Sequence, residues 1–583
     1  MLVYRELRQS LSPRFRVAEI RSRLDELASA SSGRHDSAVC ILIELGVLEA
    51  GVADHLCAQE DELHPLLGAF REASVAAGHL LYHSWRHSRE LAGQWLERAR
   101  AALERVSPAE LPAEVEASVP EGFAQYGLYP ETYLAAAERA ARACEAPRVV
   151  CLGIRSIGTA LSAVVTAVLE EMGRQVVSAT LRPRGHPFDR RPRLGPGLGD
   201  LVRSHAGDLF VLVDEGPGLS GSSFMGVAAT LEGLGVSTDR IVFLPSWQTD
   251  GTALKSPEAR QRWSRYRQFT SSFEEMWRDS SRINALVPDH ALQDFSAGAW
   301  REYLIVGSDG SPAVQPQHER RKFRALPTTN EGRQPALMLR FAGLGRYGDA
   351  TLARAERLSN AGLAAPPRGL RHGFLLQEFR PGMPIEARNA PDLLAAMAGY
   401  LAHLRRCHPA QGPATDLMLM VQTNVAGALG PAASELAVSR HAERLRDGEP
   451  TALDGRMLPQ EWLRSPAGWF KVDGLDHGDD HFFPGPQDIA WDVAGTCLEF
   501  GLYGSDRRAL LAQYSLASGD RTIGSRLPAY AVAYLAYRFG YATMAAEQLE
   551  GSADGARFKR KVAEYRRALA LELEAGGAER WRV

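Results

Sequence analysis

Phe210-Val-Leu-Val-Asp-Glu-Gly-Pro-Gly-Leu-Ser-Gly-Ser-Ser223 decides how the middle of the chain folds. Four apolar residues, Phe210 to Val213, make a buried strand; Asp214 and Glu215 stand at its carboxyl end, and a Gly/Ser loop leads into a helix. In an open parallel sheet, ligands bind beyond the carboxyl ends of the strands. Backbone N–H groups of a Gly/Ser loop at a helix start make an anion site. Two adjacent carboxylates just before such a loop accept hydrogen bonds from vicinal hydroxyls. A phosphate and a diol at that separation describe a ribose 5-phosphate.

The flanking sequence has the matching rhythm. RVVCLGI, QVVSATLR, DLFVLVDE and DRIVFLPS read as strands, and ALSAVVTAVLEEMG and SSFMGVAATLEGLG as helices between them. Such alternation implies a parallel sheet covered by helices. Leu152-Gly-Ile-Arg-Ser-Ile-Gly158 ends the first strand and opens a helix, and Arg182-Pro-Arg-Gly-His-Pro-Phe-Asp-Arg-Arg191 is a basic loop between strands.

Over residues 120–250 these segments together resemble the type I phosphoribosyltransferases. The resemblance implies that Asp214 and Glu215 hold the ribose hydroxyls at the catalytic centre while Ser220, Gly221, Ser222 and Ser223 cradle the 5-phosphate. It also implies that Arg155 and Ser156 bind pyrophosphate, and that Arg182 and Arg184 belong to a mobile loop closing over it. The substrate implied is phosphoribosyl pyrophosphate (PRPP) with Mg²⁺, the acceptor being a small molecule that the sequence does not specify. GPGL makes the phosphate loop one residue longer than the family's.

The 583 residues exceed one core, and ~150 residues per domain gives three or four. A net charge of -3 argues against a dedicated nucleic-acid binder. The 6 cysteines are scattered without a CxxC pair, which fits a reducing cytoplasm. No stretch approaches the ~18–20 apolar residues of a membrane span, so the expectation is a cytoplasmic protein acting on small molecules. The fold class expected is multidomain. A helical region spans 1–115, with SPAELPAEVEASVPEG as a linker. The α/β parallel-sheet domain at 120–250 follows, then a connector at 251–300 and a C-terminal α+β domain at 301–583.

That last region carries its own pattern. Ala336-Leu-Met-Leu-Arg-Phe-Ala-Gly-Leu-Gly-Arg-Tyr-Gly348 is a strand followed by a literal GxGxxG, and the next helix holds Glu356. Gly373-Phe-Leu-Leu-Gln-Glu-Phe379 is another strand, Trp469-Phe-Lys-Val-Asp-Gly-Leu-Asp-His477 a strand ending in acids, and Asp488-Ile-Ala-Trp-Asp-Val-Ala494 a helix start. This order resembles kinases of the aminoglycoside phosphotransferase and choline kinase type. The resemblance implies ATP and Mg²⁺ as ligands, Arg340 gripping phosphate and paired with Glu356, and Gln377 on the hinge strand. It makes Asp454 the catalytic base and Asp473 and Asp476 the metal ligands. The chain departs from the family in three places. Ala452-Leu453 precede Asp454 where HxD is usual, Pro459 stands at the metal-binding Asn, with Gln460 or Glu461 as substitutes, and Arg340 replaces a Lys.

Two other readings use these residues. In one, both pockets sense PRPP and nucleotide without turnover, the C-terminal half being a degenerate kinase. In the other, Asp473, Asp476, His477, Asp479, Asp480 and His481 form a binuclear hydrolase centre. In the N-terminal helices His79, His83 and His87 fall at i, i+4 and i+8, with Asp61, Glu62 and His64 on the preceding segment. That stripe reads either as a metal-chelating face or as a hydrogen-bonded seam, and no metal is assigned to it.

Overall fold

A computed structural model describes residues 1–3, 6–30, 32–86, 88–304, 311–328, 334–385, 387–407, 415–475, 477–483, 485–574 and 581. The architecture is multidomain and mixes all-α, α/β and α+β parts.

Four helices, Pro13–Ser29, Arg34–Leu56, Pro65–Trp85 and Arg89–Glu104, fill most of the N-terminal region. It is not helical throughout. Arg8–Leu11 forms an antiparallel pair with Val115–Ser118, inside the segment expected to be a linker. Val115 and Ala117 alternate inward in VEAS, so this short sheet belongs to the core.

The parallel sheet expected between 148 and 244 is present. Its order is Gln175–Leu181, Arg148–Ile154, Leu209–Val213, Ile241–Leu244 and Arg267–Gln268, so it takes one strand from beyond residue 250. The chain steps from Arg148–Ile154 to a neighbour on one side and then crosses to Leu209–Val213 on the other. The topological switch point, where ligands bind in open α/β sheets, lies beyond those two strand ends. Alternate residues face opposite sides: Leu209, Val211 and Val213 join one core, Phe210 and Leu212 the other.

Helix Ile157–Glu171 is apolar on all sides because it lies between the sheet and the N-terminal helices. The approach is close. A Cβ on Gly78 would lie 2.5 Å from the Ala163 carbonyl oxygen, and one on Gly46 would lie 2.6 Å from Ala160 Cβ. The N-terminal helices are therefore a fixed layer of the α/β domain.

The expected connector is also built in. His290–Asp294 is the edge strand of a five-stranded antiparallel sheet, followed in order by Lys322–Pro327, Leu337–Phe341, Phe374–Glu378 and Pro367–Arg371. Phe273 and Trp277 pack with Tyr129, Phe341 and Phe374, so one apolar core continues from the N-terminal helices into this sheet. A second core holds the C-terminal helical lobe, from Pro391–Cys407 to Ala553–Leu573. A cleft lies between that lobe and the antiparallel sheet, lined by Lys322, Arg340, Gln377 and Asp473 among others. No helix among the described residues is long and apolar enough to cross a membrane.

Candidate functional site

At the switch point Asp214 and Glu215 follow the buried strand Leu209–Val213 and are half-buried. Asp214 Oδ1 accepts from the Glu215 backbone N–H at 2.8 Å, and the Asp214 carbonyl accepts from the Tyr133 hydroxyl at 2.6 Å. Burial pushes the Asp214 carboxyl up to about 7, partly opposed by the charges of Arg182 and Arg190. Burial, then the neighbouring charges of Asp214 and Glu121, push Glu215 up to about 8. Two acids that hold protons near neutrality can donate as well as accept hydrogen bonds, which suits a hydroxyl-bearing ligand.

Two glycines make room for these acids. A Cβ on Gly158 would lie 2.6 Å from the Val213 carbonyl oxygen, and one on Gly122 would lie 2.6 Å from Glu215 Oε1. Ser156, just before helix Ile157–Glu171, has φ 122°, a conformation costly for a residue with a side chain. Backbone strain of that kind collects at ligand loops.

The Ser220–Ser223 loop opens helix Ser222–Gly233, with Gly221 left-handed at φ 70°. Ser220 Oγ lies 3.0 Å from Ser222 Oγ, and Ser222 Oγ donates to the Pro187 carbonyl at 2.7 Å. The basic loop is a hairpin, Arg184–His186 against Asp189–Arg191, and it rests on this helix start. A Cβ on Gly226 would clash with the Arg190 carbonyl.

Three of the residues expected to bind pyrophosphate are paired with acids in the structure. Arg155 is buried in ion pairs with Asp54, at 3.0 Å, and with Asp61. Arg182 pairs with Asp54 and donates its backbone N–H to Asp61 Oδ2 at 2.8 Å; Arg184 reaches Asp61 at 3.2 Å. The reason is the N-terminal helical layer, which brings Asp54 and Asp61 against the loop. Spacing along the α/β segment carried no trace of these partners. Glu62 caps Gly197 and Leu198 at 2.9 Å, and His64 caps Leu66 at 3.2 Å, so neither joins the histidine stripe.

The second candidate site lies in the cleft. Asp473, left-handed at φ 63°, follows strand Gly468–Lys471 and faces the antiparallel sheet. Arg340 Nη1 lies 2.5 Å from its Oδ1 and Lys322 Nζ 2.7 Å from its Oδ2, with His477 and Arg456 within 4 Å. Burial alone would raise the Asp473 carboxyl, but Arg340 and Lys322 hold it well below the usual carboxylate range. Lys322 was not read from the sequence. The alternation of KFRALP, with Phe323 and Ala325 inward, puts Lys322 on the opposite face, and the strand register sets it beside Arg340.

Two expectations here are corrected. Glu356 is exposed on helix Arg346–Asn360 and does not pair with Arg340, which turns to Asp473 instead. Asp454 is completely buried and does not face the cleft as a base. Its Oδ2 accepts from Tyr400 at 2.6 Å and lies 2.9 Å from Lys471 Nζ, and Lys471 and His477 bring it below its ordinary range although burial opposes this. Lys471 also reaches Glu461 at 2.8 Å, so an ammonium stands between two carboxylates that a cation would otherwise bridge. Asp492 accepts from the backbone N–H of Asp454 and Gly455 at 2.8 and 3.0 Å, fixing that loop. Gln377 lines the cleft and donates to the Ala365 carbonyl at 3.0 Å.

Asp476 and the side chain of Asp479 lie outside the described residues. Among the described residues the Asp473–His481 segment does not converge on a binuclear centre, because His481 turns to Glu121 at 2.9 Å. Mg²⁺ prefers oxygen ligands and shares carboxylates with phosphates. Among the described residues Lys471 already occupies the space between Asp454 and Glu461, and the carboxylates of Glu319, Glu378 and Asp473 line the cleft.

No family model matches the chain, and no curated protein matches it. Among solved structures, the choline kinase of Streptococcus pneumoniae aligns over 49% of this chain and 97% of its own, at 14% identity and TM-score 0.33. A choline/ethanolamine kinase family protein of Mesorhizobium loti aligns over 51% and 97%, at 14% identity and TM-score 0.35. A putative fructosamine-3-kinase of Thermobifida fusca aligns over 50% and 97%, at 15% identity and TM-score 0.30.

Proposed function

We propose that the α/β domain is a phosphoribosyl-transfer site using PRPP and that the interlobe cleft binds a nucleoside triphosphate. The observation that carries the first part is the Asp214–Glu215 pair at the switch point, next to the Ser220–Ser223 loop with the basic hairpin laid across it. In the transfer, the bond from the anomeric carbon to the pyrophosphate oxygen breaks, and its electron pair leaves with pyrophosphate. The acceptor forms the new bond to that carbon and gives up a proton. Asp214 and Glu215 hold the ribose hydroxyls and so orient the sugar for attack. Mg²⁺, when bound with PRPP, neutralises the leaving pyrophosphate.

Arg182 is central to this reading because its guanidinium faces both Asp54 and the charge of Asp214. Pyrophosphate would compete with Asp54 for it. The test is thermal shift with PRPP and Mg²⁺, joined to mass spectrometry of products from a nucleobase and small-metabolite library. The wild type should be stabilised, by ~2.7 kcal/mol at a hundredfold excess over Kd. Asp214→Asn/Glu215→Gln should lose the shift. An unchanged shift in the double variant overturns the site.

For the cleft, Lys322, Arg340, Arg380 and Arg456 line it beside Glu319, Glu378, Glu461 and Asp473, and the cations are the groups a triphosphate would engage. The ammonium of Lys471 against Asp454 and Glu461 favours nucleotide binding with little phosphotransfer, since a depressed, buried carboxylate is a poor base. Isothermal titration with ATP, paired with a phosphate-release assay, separates a nucleotide-binding lobe from a working kinase.

A further inference from the structure

Two histidines and two glutamates meet outside both sites. His79 and His83, one turn apart on helix Pro65–Trp85, are both buried. They face the last turn of helix Ile157–Glu171. His79 Nδ1 lies 2.8 Å from Glu171 Oε1, His79 Nε2 lies 2.8 Å from Glu170 Oε2, and His83 Nε2 lies 2.9 Å from the same Glu171 Oε1. The His79 ring stacks on Trp95, centroids 3.4 Å apart.

Proton counting makes this cluster unusual. A neutral imidazole carries one N–H, yet both nitrogens of His79 sit at hydrogen-bond distance from carboxylate oxygens, which are acceptors when ionised. If Nε2 donates to Glu170, Nδ1 presents a lone pair to Glu171 Oε1, which repels it unless a cation lies between them. That cation is either a second proton or a metal ion. Two features favour the metal. Glu171 Oε1 is the meeting point of both imidazoles. Glu170 on His79 Nε2 completes a carboxylate–histidine–metal relay, the outer contact that orients ligating imidazoles.

We infer that His79 Nδ1, His83 Nε2 and Glu171 Oε1 form a three-ligand site for a divalent transition ion of the Zn²⁺ class, with Glu170 orienting His79. The three donor atoms lie within 4.8 Å of one another. A tetrahedral zinc site with bonds of ~2.0–2.1 Å sets its ligands roughly 3.3 Å apart. The two short edges therefore need to open by about half an ångström, as expected where a proton-sized gap gives way to an ion. Imidazole with a single carboxylate suits Zn²⁺ better than Mg²⁺ or Ca²⁺. The Glu170 and Glu171 side chains are 33% and 21% exposed, so an ion reaches the cluster from that rim, and water takes the fourth position. The site would pin the N-terminal helical layer to the helix that starts at Ile157, beside Ser156 and the switch point.

The test uses the full chain, stripped with chelator and dialysed. Co²⁺ titration should give one equivalent with the intense visible bands of a four-coordinate site, and Zn²⁺ should displace it. Glu171→Gln, which keeps a hydrogen-bonding group facing both imidazoles, and His83→Gln should each fold by circular dichroism and lose at least a hundredfold in affinity. Glu170→Gln should lose ten- to a hundredfold. Zn²⁺ should raise the melting temperature of the wild type and leave that of Glu171→Gln unchanged. Either of two results overturns the assignment. One is the absence of stoichiometric Co²⁺ binding, with His79 behaving as a doubly protonated imidazolium in ¹⁵N NMR. The other is binding that Glu171→Gln and His83→Gln leave intact, which would place the ion elsewhere, for instance at Asp454, Glu461 and His477.

Discussion

Glu121 Oε2 lies 2.9 Å from His481 Nδ1, joining the segment beside the α/β site to the rim of the interlobe cleft. The next residue, Gly122, packs against Glu215, while the His481 ring leans on Phe482, which stacks on His318. Tyr126, at the other end of the same short turn, also bonds His481. A single turn, Gly122–Tyr126, thus touches an acid of one site and a histidine beside the other.

The first prediction concerns this contact. A double-mutant cycle with Glu121→Gln and His481→Asn is expected to give a coupling of about 1 kcal/mol or more in chemical unfolding, within the range for contacting residues. Strict additivity would mean that the two halves are not joined through this pair in solution.

The second concerns protons at the switch point. The folded-state carboxyls of Asp214 and Glu215 stand at about 7 and about 8, against ordinary values of 3.8 and 4.5. The folded protein therefore holds these protons more tightly than the unfolded chain. The resulting stability is complete below about pH 4 and is lost as pH rises through 7 and 8. Asp214→Asn/Glu215→Gln should remove that loss, so the variant gains on the wild type between pH 5 and 8.5, by an order of a few kcal/mol at most. Melting curves across that range check it; parallel profiles would show that the acids are ionised throughout.

Much of this was legible from local sequence. The run Phe210–Val213 with Asp214, Glu215 and the Ser/Gly loop is contiguous, so one strand, one turn and one helix place the whole motif. In the cleft, strand order alone places Arg340 on Leu337–Phe341 and Asp473 just after Gly468–Lys471. What escaped depends on contacts between distant segments. Arg155 meets Asp61 across 94 positions and Lys322 meets Asp473 across 151. A one-dimensional pattern reports which face a side chain takes and carries nothing about which charge waits there. Val115–Ser118 was missed for a related reason: its partner, Arg8–Leu11, lies at the other end of the helical region.

The third prediction separates the two acids that hold the arginines. Asp61 is buried with Arg155, so Asp61→Asn leaves a buried guanidinium short of charge and should cost ~3–5 kcal/mol of stability. Asp54 is more open, with a side chain 28% exposed, and it competes for Arg182. Asp54→Asn should fold with a smaller loss and should bind inorganic pyrophosphate more tightly, by up to tenfold in calorimetry. Unchanged pyrophosphate affinity would separate Arg182 from ligand binding.

The last prediction concerns Asp473, which two cations hold in the cleft. Lys322 and Arg340 neutralise it in the free protein, and both would be drawn to the phosphates of a bound nucleotide. An Asp473 released in that way would meet Mg²⁺ carried on the triphosphate, so ATP should bind the wild type more tightly with Mg²⁺ than with chelator. Asp473→Asn removes the metal partner and frees the two cations together. Its ATP affinity should then be the same with Mg²⁺ and with chelator, and no weaker than that of the wild type in chelator. Lys471→Met is the complementary variant. It strips the ammonium from Asp454 and Glu461, two carboxylates that reach 2.9 and 2.8 Å from Lys471 Nζ, and should cost ~3–5 kcal/mol of stability because those charges are buried. Added Mg²⁺ should recover part of that loss by occupying the vacated position. If Asp473→Asn abolishes ATP binding under both conditions, the carboxylate holds the cleft open rather than serving the metal. If Mg²⁺ leaves wild-type affinity unchanged, the cleft takes nucleotide through its cations alone.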